Sequence, residues 1–298
     1  MSARRLELPI TGALAGIKVD TLLKRHLGLS GTVVRRIKWL EDGILVDGAR
    51  VNTRFCPQEG QVLSVRLSDP ERRSGILPEP GPLDVVYEDG DVVVLNKAPG
   101  VPVHPGPGHY SDTVGNYLLY YYDQEGTEGD FHPIHRLDRG TSGLMAVAKH
   151  AHAHELLQRQ LQTGQFSRTY LAVCEGVPVP RRGCVDAPIG RQPDSILKRE
   201  VRPDGAAART HYEVVRTGPG QSLVRLALET GRTHQIRVHM AYLGCPLAGD
   251  FLYGQELPEL RQRFALHSAS IRLLQPITGE EIALTSPLPA ELNALLNQ

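Results

Sequence analysis

The segment from Ser68 to Pro82 constrains this chain most. Pro70, Pro78, Pro80 and Pro82, with Gly75 and Gly81 between them, exclude a continuous helix or a central strand there. The break predicts a linker at 69–82 between two units, a small module at 16–68 and a catalytic-size domain at 83–298. A hydrophobic content of 41% over 298 residues can give both units a core. The longest apolar runs, such as Val92 to Leu95 and Leu144 to Ala148, fall far short of the ~20 residues that cross a bilayer, so no membrane association is expected. Arg4 and Arg5 are not followed by an apolar run of signal-peptide length, which predicts a cytoplasmic protein. Cys56, Cys174, Cys184 and Cys245 have neither zinc nor disulfide spacing and read as reduced thiols.

Within the small module, Val19, Leu22, Leu23 and Leu27 recur at helical spacing, and Gly28 stands where such a helix must stop. Ser30 can cap a second helix running to about Leu40, with Val33, Val34, Ile37 and Leu40 as its apolar stripe. Ile44 to Val46 and Ala49 to Val51 read as strands joined by Asp47-Gly48, a dipeptide suited to a type I′ hairpin, and Val62 to Leu67 as a third strand. Charge separates this module from the rest. The whole chain has a formal net charge of zero, yet residues 16–68 hold nine cations against five acids, while the 230 residues after 68 sum to −5. A basic face formed by Lys24, Arg25, Arg35, Arg36 and Lys38 suits phosphate binding with counterion release; a simply solvated helix face is the alternative from composition.

Beyond the linker, Leu83 to Tyr87 and Asp91 to Asn96 read as valine-rich strands. A helix follows from about Thr113 to Tyr122, and its tyrosines at 117, 120, 121 and 122 fit core or interface positions better than base stacking. Polar residues then crowd ahead of strand-like Leu144 to Ala148: His135, Arg136, Asp138, Arg139, Thr141 and Ser142. An aspartate in such a turn is either a turn former or a carboxylate aimed into a cleft. An amphipathic helix from about Ala151 to Leu161 leads to a strand at Arg168 to Val173. A second polar cluster, Thr230 to Gly244, follows the alternating strand Leu223 to Leu228. Thr233 is expected to cap a helix ending at Gly244, with Arg232 just before its N-terminus.

The element order of the small module, above all Gly43 to Asn52, resembles the small RNA-binding domain named after a ribosomal small-subunit protein. That resemblance implies binding of structured RNA by shape and phosphate. In the larger domain, His135-Arg136-Leu137-Asp138 with Thr141-Ser142-Gly143 and Ala148-Lys149 comes first. Tyr170 and Ala172 follow, then Gly231-Arg232 with His234-Gln235-Ile236-Arg237 and His239. In that order they resemble the RluA-type pseudouridine synthases, over residues 83 to 290. The resemblance implies an α+β fold: a catalytic domain on a mixed, mainly antiparallel sheet flanked by helices, behind a helix-pair-plus-hairpin RNA-binding domain. It implies a monomeric isomerase that converts specific uridines of RNA to pseudouridine without a cofactor. The basic leading module is the arrangement of the family's ribosomal members, so the expected partner is large-subunit ribosomal RNA.

Carried over residue by residue, the resemblance makes Asp138 the catalytic carboxylate, acting either as a nucleophile or as a base toward the sugar. Arg232 is then its ion-pair partner, and Tyr170 packs against the target base. Arg136 either fills the space vacated by the extruded nucleotide or holds that nucleotide, and His135 and Thr141 join it as substrate-binding residues. The alternative reading is a non-catalytic RNA-binding ribosome assembly factor, which would not need Asp138, Tyr170 and Arg232 together. A two-carboxylate glycosidase lacks its second acid in these motifs. His150, His152 and His154 alternate suggestively, but Glu155 alone does not complete a ligand set, so no metal is expected. His234 and His239 are expected to make structural hydrogen bonds beside the cleft. Arg168, Gly140 and Gln275 depart from the family's usual residues, the last bearing on the rim of the site.

Overall fold

The computed structural model describes residues 3–68, 71–261 and 263–297. The N-terminal module contains β1 (Arg5–Pro9), α1 (Val19–Thr21) continuing into a π-helical turn (Leu22–His26), α2 (Gly31–Ile37), β2 (Ile44–Val46), β3 (Ala49–Arg50) and β4 (Val62–Arg66). The strands form one antiparallel sheet in the order β1-β4-β2-β3. Its first strand lies ahead of residue 16. Leu6 and Leu8 alternate with Arg5 and Glu7, a period-two pattern too short to stand out alone, and pairing with β4 makes it a strand. Ser30 caps α2 by accepting from the Val33 amide, and Val33, Val34 and Ile37 bury against Leu22, Leu23, Leu63 and Val65. Asp47 and Gly48 take φ values of 48° and 79°, the left-handed pair that a type I′ hairpin needs.

Residues 71–82 carry no helix or strand, as their prolines require, but they are pinned to the larger domain. Arg72 donates to Gly129 O at 3.1 Å and to Asp123 Oδ1 at 2.7 Å. The Arg73 and Ser74 amides donate to Asp130 Oδ2 at 2.8 and 3.0 Å, and Ile76 packs on the main core.

The larger domain runs β5 (Val85–Glu88), β6 (Val92–Lys97), α3 (Val114–Glu125), β7 (His132–Pro133), β8 (Ser142–Ala148), α4 (Ala151–Thr163), β9 (Ser167–Glu175) and β10 (Arg182–Asp186). It continues through β11 (Ile189–Arg191), β12 (Arg199–Val201), β13 (Arg209–Gly218), β14 (Gln221–Leu228), α5 (Gln235–Tyr242), β15 (Leu266–Leu274), β16 (Glu281–Thr285) and α6 (Ala290–Leu295). One sheet orders β10-β13-β14-β9-β15-β8-β6-β5, with β16 on β15 and β7 on β8; β11 and β12 form a separate hairpin. Its strand pairs are antiparallel except β15 with β8, which gives the mixed, mainly antiparallel sheet. Strands β6 and β8 are buried on both faces. Val93, Leu95, Met145 and Val147 share a core with α3 and α5, while Val92, Val94, Leu144, Ala146 and Ala148 share one with α4. Each such fully buried valine, leucine or methionine side chain contributes about 1.5–3 kcal/mol.

The seam between module and domain is polar at its centre. Asp91 is 1% exposed and accepts from Arg4 at 2.8 and 2.9 Å, from His150 Nε2 at 2.9 Å and from Gln275 Nε2 at 2.7 Å. Burial works to raise this carboxyl, but the hydrogen bonds from His150, Arg4 and Gln275 outweigh it and hold it well below the usual carboxylate range. His150 also caps α4, its Nδ1 accepting from the Ala153 amide at 3.2 Å. Arg66 joins Asp42 to Glu128, both at 2.6 Å, and Ser30 donates to Glu155 at 2.7 Å. Gln275 therefore belongs to the seam and not to the rim of the cleft, where it was expected. The cleft opens at Leu266, and Gln275 lies a strand length away along β15, about 30 Å.

Candidate active site

A cleft of about 780 Å³ opens where β8 and β9 begin and β14 ends, and Asp138, Tyr170, Arg232, Arg136, His135 and Thr141 all line it. Asp138 sits in the turn before β8, closed by the Thr141 amide donating to Asp138 O at 3.0 Å. Gly143 starts the strand at φ +104°, where a Cβ would lie 2.3 Å from Ser268 O, so only glycine lets β8 approach β15 this closely. At Gly140 a Cβ would stand 2.8 Å from the Phe264 ring, which leaves no room for an acid. Behind the turn, Lys97 Nζ donates to the carbonyls of Ala98, Val101 and Arg139 at 2.7, 2.9 and 3.1 Å. Burial pushes the Lys97 ammonium down to about 7, and the Asp138 charge works against that fall.

The other wall is α5 and the loop before it. The helix begins at Gln235, not after a Thr233 cap, and its N-cap is His234 in a left-handed conformation with φ 58°. The cause is Gln235, whose buried amide binds the loop in place of a capping hydroxyl. It accepts from the Arg232 amide and Thr230 Oγ1 at 3.0 and 2.8 Å, and donates to Arg209 O and Thr210 Oγ1 at 2.9 and 3.0 Å. This start turns Arg237 toward the carboxylate. Arg237 Nη1 lies 3.4 Å from Asp138 Oδ2, while Nε and Nη2 clasp Asp250 at 2.7 and 2.8 Å. The guanidinium is stacked 4.1 Å over the Phe264 ring and 5.0 Å from that of Tyr253. Burial works against its charge, but the Asp250 hydrogen bonds and the charges of Asp250 and Asp138 outweigh this and raise it.

The expected ion pair between Arg232 and Asp138 is not made. Arg232 lines the cleft wall, and its Nε donates to Ala207 O at 2.9 Å. His135 is placed less for substrate than for packing: its Nε2 accepts from the Ala146 amide at 3.4 Å, its ring lies against Phe166, and burial pushes its pKa well below the usual value. Tyr170, on β9, is buried at the cleft, and burial raises its hydroxyl above the ordinary phenol value, so it is a neutral phenol at physiological pH. Arg136 is exposed at the mouth.

A family model described as RNA pseudouridylate synthase matches residues 91–242, which contain Asp138, Tyr170 and Arg237. The chain belongs to the RNA pseudouridylate synthase family. An uncharacterised RNA pseudouridine synthase of Bacillus subtilis is 42% identical over 91% of this chain and 95% of its own length. A ribosomal large subunit pseudouridine synthase D of Haemophilus ducreyi is 40% identical over 88% of this chain and 85% of its own. Among solved structures, human RNA pseudouridylate synthase domain containing 1 aligns with TM-score 0.56 at 28% identity, covering 70% of this chain and 86% of that one.

The synthase site holds residues that the motifs alone did not single out. Asp250, Phe264, Tyr253 and Lys97 fix Arg237 and the Asp138 turn; the one local signal was the Gly249-Asp250 turn, in which Asp250 accepts from the Leu252 and Tyr253 amides. His239 bridges Thr210 Oγ1 and Ala187 O at 2.8 and 2.9 Å, and His234 Nδ1 meets the Tyr253 hydroxyl at 2.9 Å, both structural bonds. The N-terminal cations lie outside the cleft. Lys24 pairs with Asp20 at 2.8 Å, Arg25 and Arg35 are exposed, and Lys38 lies over Trp39. Arg36 is half-buried near Asp130 and Glu155, and burial lowers its pKa.

Proposed function

We propose that this synthase isomerises uridine in large-subunit ribosomal RNA in the cytoplasm, with Asp138 as its catalytic carboxylate. The observation that carries this is the convergence of Asp138, Arg237 and Tyr170 on one cleft. Uridine and pseudouridine are isomers. The bond from N1 to the sugar breaks, a bond from C5 replaces it, and the C5 proton leaves as N1 gains one, so no oxidant or reductant is consumed.

Asp138 is 27% exposed at the side chain and, among the described residues, has one long contact with Arg237, which leaves its oxygens open to meet the ribose. Attack at the sugar and removal of a sugar proton would both use that freedom. Arg237 then acts as the fixed cation that orients the carboxylate, held by Asp250 so that it does not fold onto Asp138. The neutral Tyr170 ring offers an apolar face to the uracil and a hydroxyl near C5. Turning the nucleotide out of its stack costs a few kcal/mol, and Arg136 at the mouth is placed to fill the vacated space. In this reading the enzyme acts as a monomer.

The name of the Haemophilus ducreyi relative and the basic N-terminal module support the choice of RNA. The test is incubation of the protein with unmodified transcripts of large-subunit ribosomal RNA, small-subunit ribosomal RNA and transfer RNA, followed by pseudouridine mapping. Product at discrete sites in the large-subunit transcript is expected. Product confined to either of the other transcripts, or none in any, would overturn the assignment.

A further inference from the structure

Trp39 is the only tryptophan of the chain, and it is 76% exposed. It lies outside the apolar stripe of α2, so the module's core is complete without it. A large indole left in water needs a reason in its surroundings. Lys38 Nζ stands 4.9 Å from the ring centroid, while Arg35, exposed on the last turn of the helix, donates back to Thr32 Oγ1 at 3.2 Å. A cation beside an open aromatic face makes the elements of a stacking site for nucleic-acid bases, in which the ring takes a base and the cation takes a flanking phosphate.

The turn that carries Trp39 is rigid. Leu40 N donates to Ile37 O at 3.0 Å, and Gly43 is pressed so close to the Ile37 carbonyl that a Cβ would meet it at 1.8 Å. Asp42 is clamped by Arg66 Nη1 at 2.6 Å, and Arg5 Nη1 donates to the Asp42 carbonyl at 2.8 Å. Arg66 reaches on to Glu128 of the larger domain, so the ring is presented at a fixed place relative to the cleft. We propose that Trp39, with Lys38 beside it, is a stacking platform for an unpaired base of the RNA substrate, outside the catalytic cleft. A second copy of this chain is the less suitable occupant, because the two Lys38 charges would face each other across the contact. The inference rests on the enzyme's action on RNA and adds a recognition point to it.

A single tryptophan makes the test direct, since its emission can be followed apart from the ten tyrosines. The full chain is titrated with a single-stranded oligouridylate and with a fully paired RNA duplex of the same length, and binding is measured in parallel by filter retention. Saturable quenching of Trp39 by the single strand, weaker with the duplex, is expected. Trp39→Ala should weaken single-strand binding about ten-fold with an unchanged salt slope, whereas Lys38→Ala should lower that slope by about one. Trp39→Phe should keep most of the affinity. RNA binding without quenching, affinity unchanged in Trp39→Ala, or quenching that depends on protein concentration without RNA would overturn the proposal. Pseudouridine formation is followed in the same samples: normal product with unaffected binding in Trp39→Ala removes this platform alone, and no product from the unaltered chain removes the enzymatic reading.

Discussion

Asp91 and Asp138 both face arginines, and they are built oppositely. Asp91, in the seam, is sealed from water and receives both prongs of Arg4 together with His150 and Gln275. Asp138, in the cleft, is partly open and among the described residues has a single ionic contact, 3.4 Å from an arginine whose fork is already occupied by Asp250. A carboxylate whose oxygens are all engaged holds structure; one whose oxygens are left free can react. Arg237 is thus a saturated cation beside an unsaturated anion, and this asymmetry keeps the cleft poised instead of collapsed.

The comparison can be broken at each member. Beyond the loss of Asp138 itself, the largest effect is expected from Arg237→Lys, which keeps a charge but cannot reproduce the fork to Asp250. Turnover should fall on the order of a hundred-fold, and stability should fall by about 3 kcal/mol as buried Asp250 loses the paired hydrogen bonds of the fork. Single-turnover kinetics and urea unfolding check the two halves. Turnover at the level of the unaltered enzyme would mean that Arg237 does not serve Asp138.

Asp91→Asn comes next, with the opposite profile. Stability should drop by about 2–3 kcal/mol, since charge-assisted hydrogen bonds to a buried group are lost, while turnover per folded molecule stays level. The pH dependence follows from the depressed carboxyl. Its stabilisation is fully present above the unfolded value of 3.8 and is lost as pH falls through the lower folded value. Acid unfolding curves of the unaltered chain and of Asp91→Asn should therefore converge as the solution becomes acidic; parallel curves down to the lowest pH would show that the seam does not depend on this charge.

The smallest effect is expected from Arg232→Ala. Its guanidinium bonds a backbone carbonyl on the cleft wall, so KM should rise by less than about five-fold with kcat unchanged, as for loss of binding made equally in ground and transition states. A collapse of kcat would restore the pairing that the family resemblance suggested.

Much of the site was legible because its chemistry is contiguous. His135 to Gly143 carries the carboxylate, its turn and the start of its strand within one short segment, and the Asp47-Gly48 hairpin and Ser30 cap follow from local rules. The partner of Asp138 was misread because it depends on where α5 begins. That start is set by Gln235 reaching to Arg209 and Thr210, which are distant in sequence. Asp250 and Phe264 were missed for a similar reason: they lie in irregular chain after the helix, and their importance appears only when Arg237 is placed between them. The seam was illegible altogether. Arg4, Asp91, His150 and Gln275 come from four separate parts of the chain, and no periodicity links them.

The most direct test substitutes the open carboxylate and reads two quantities on one sample. For Asp138→Asn, pseudouridine formed in a large-subunit ribosomal RNA transcript and the free energy of unfolding are measured beside those of Asp91→Asn. The account predicts no detectable product with stability within about 0.5 kcal/mol of the unaltered chain, as for a substitution that breaks no saturated network. Appreciable product from Asp138→Asn would contradict it.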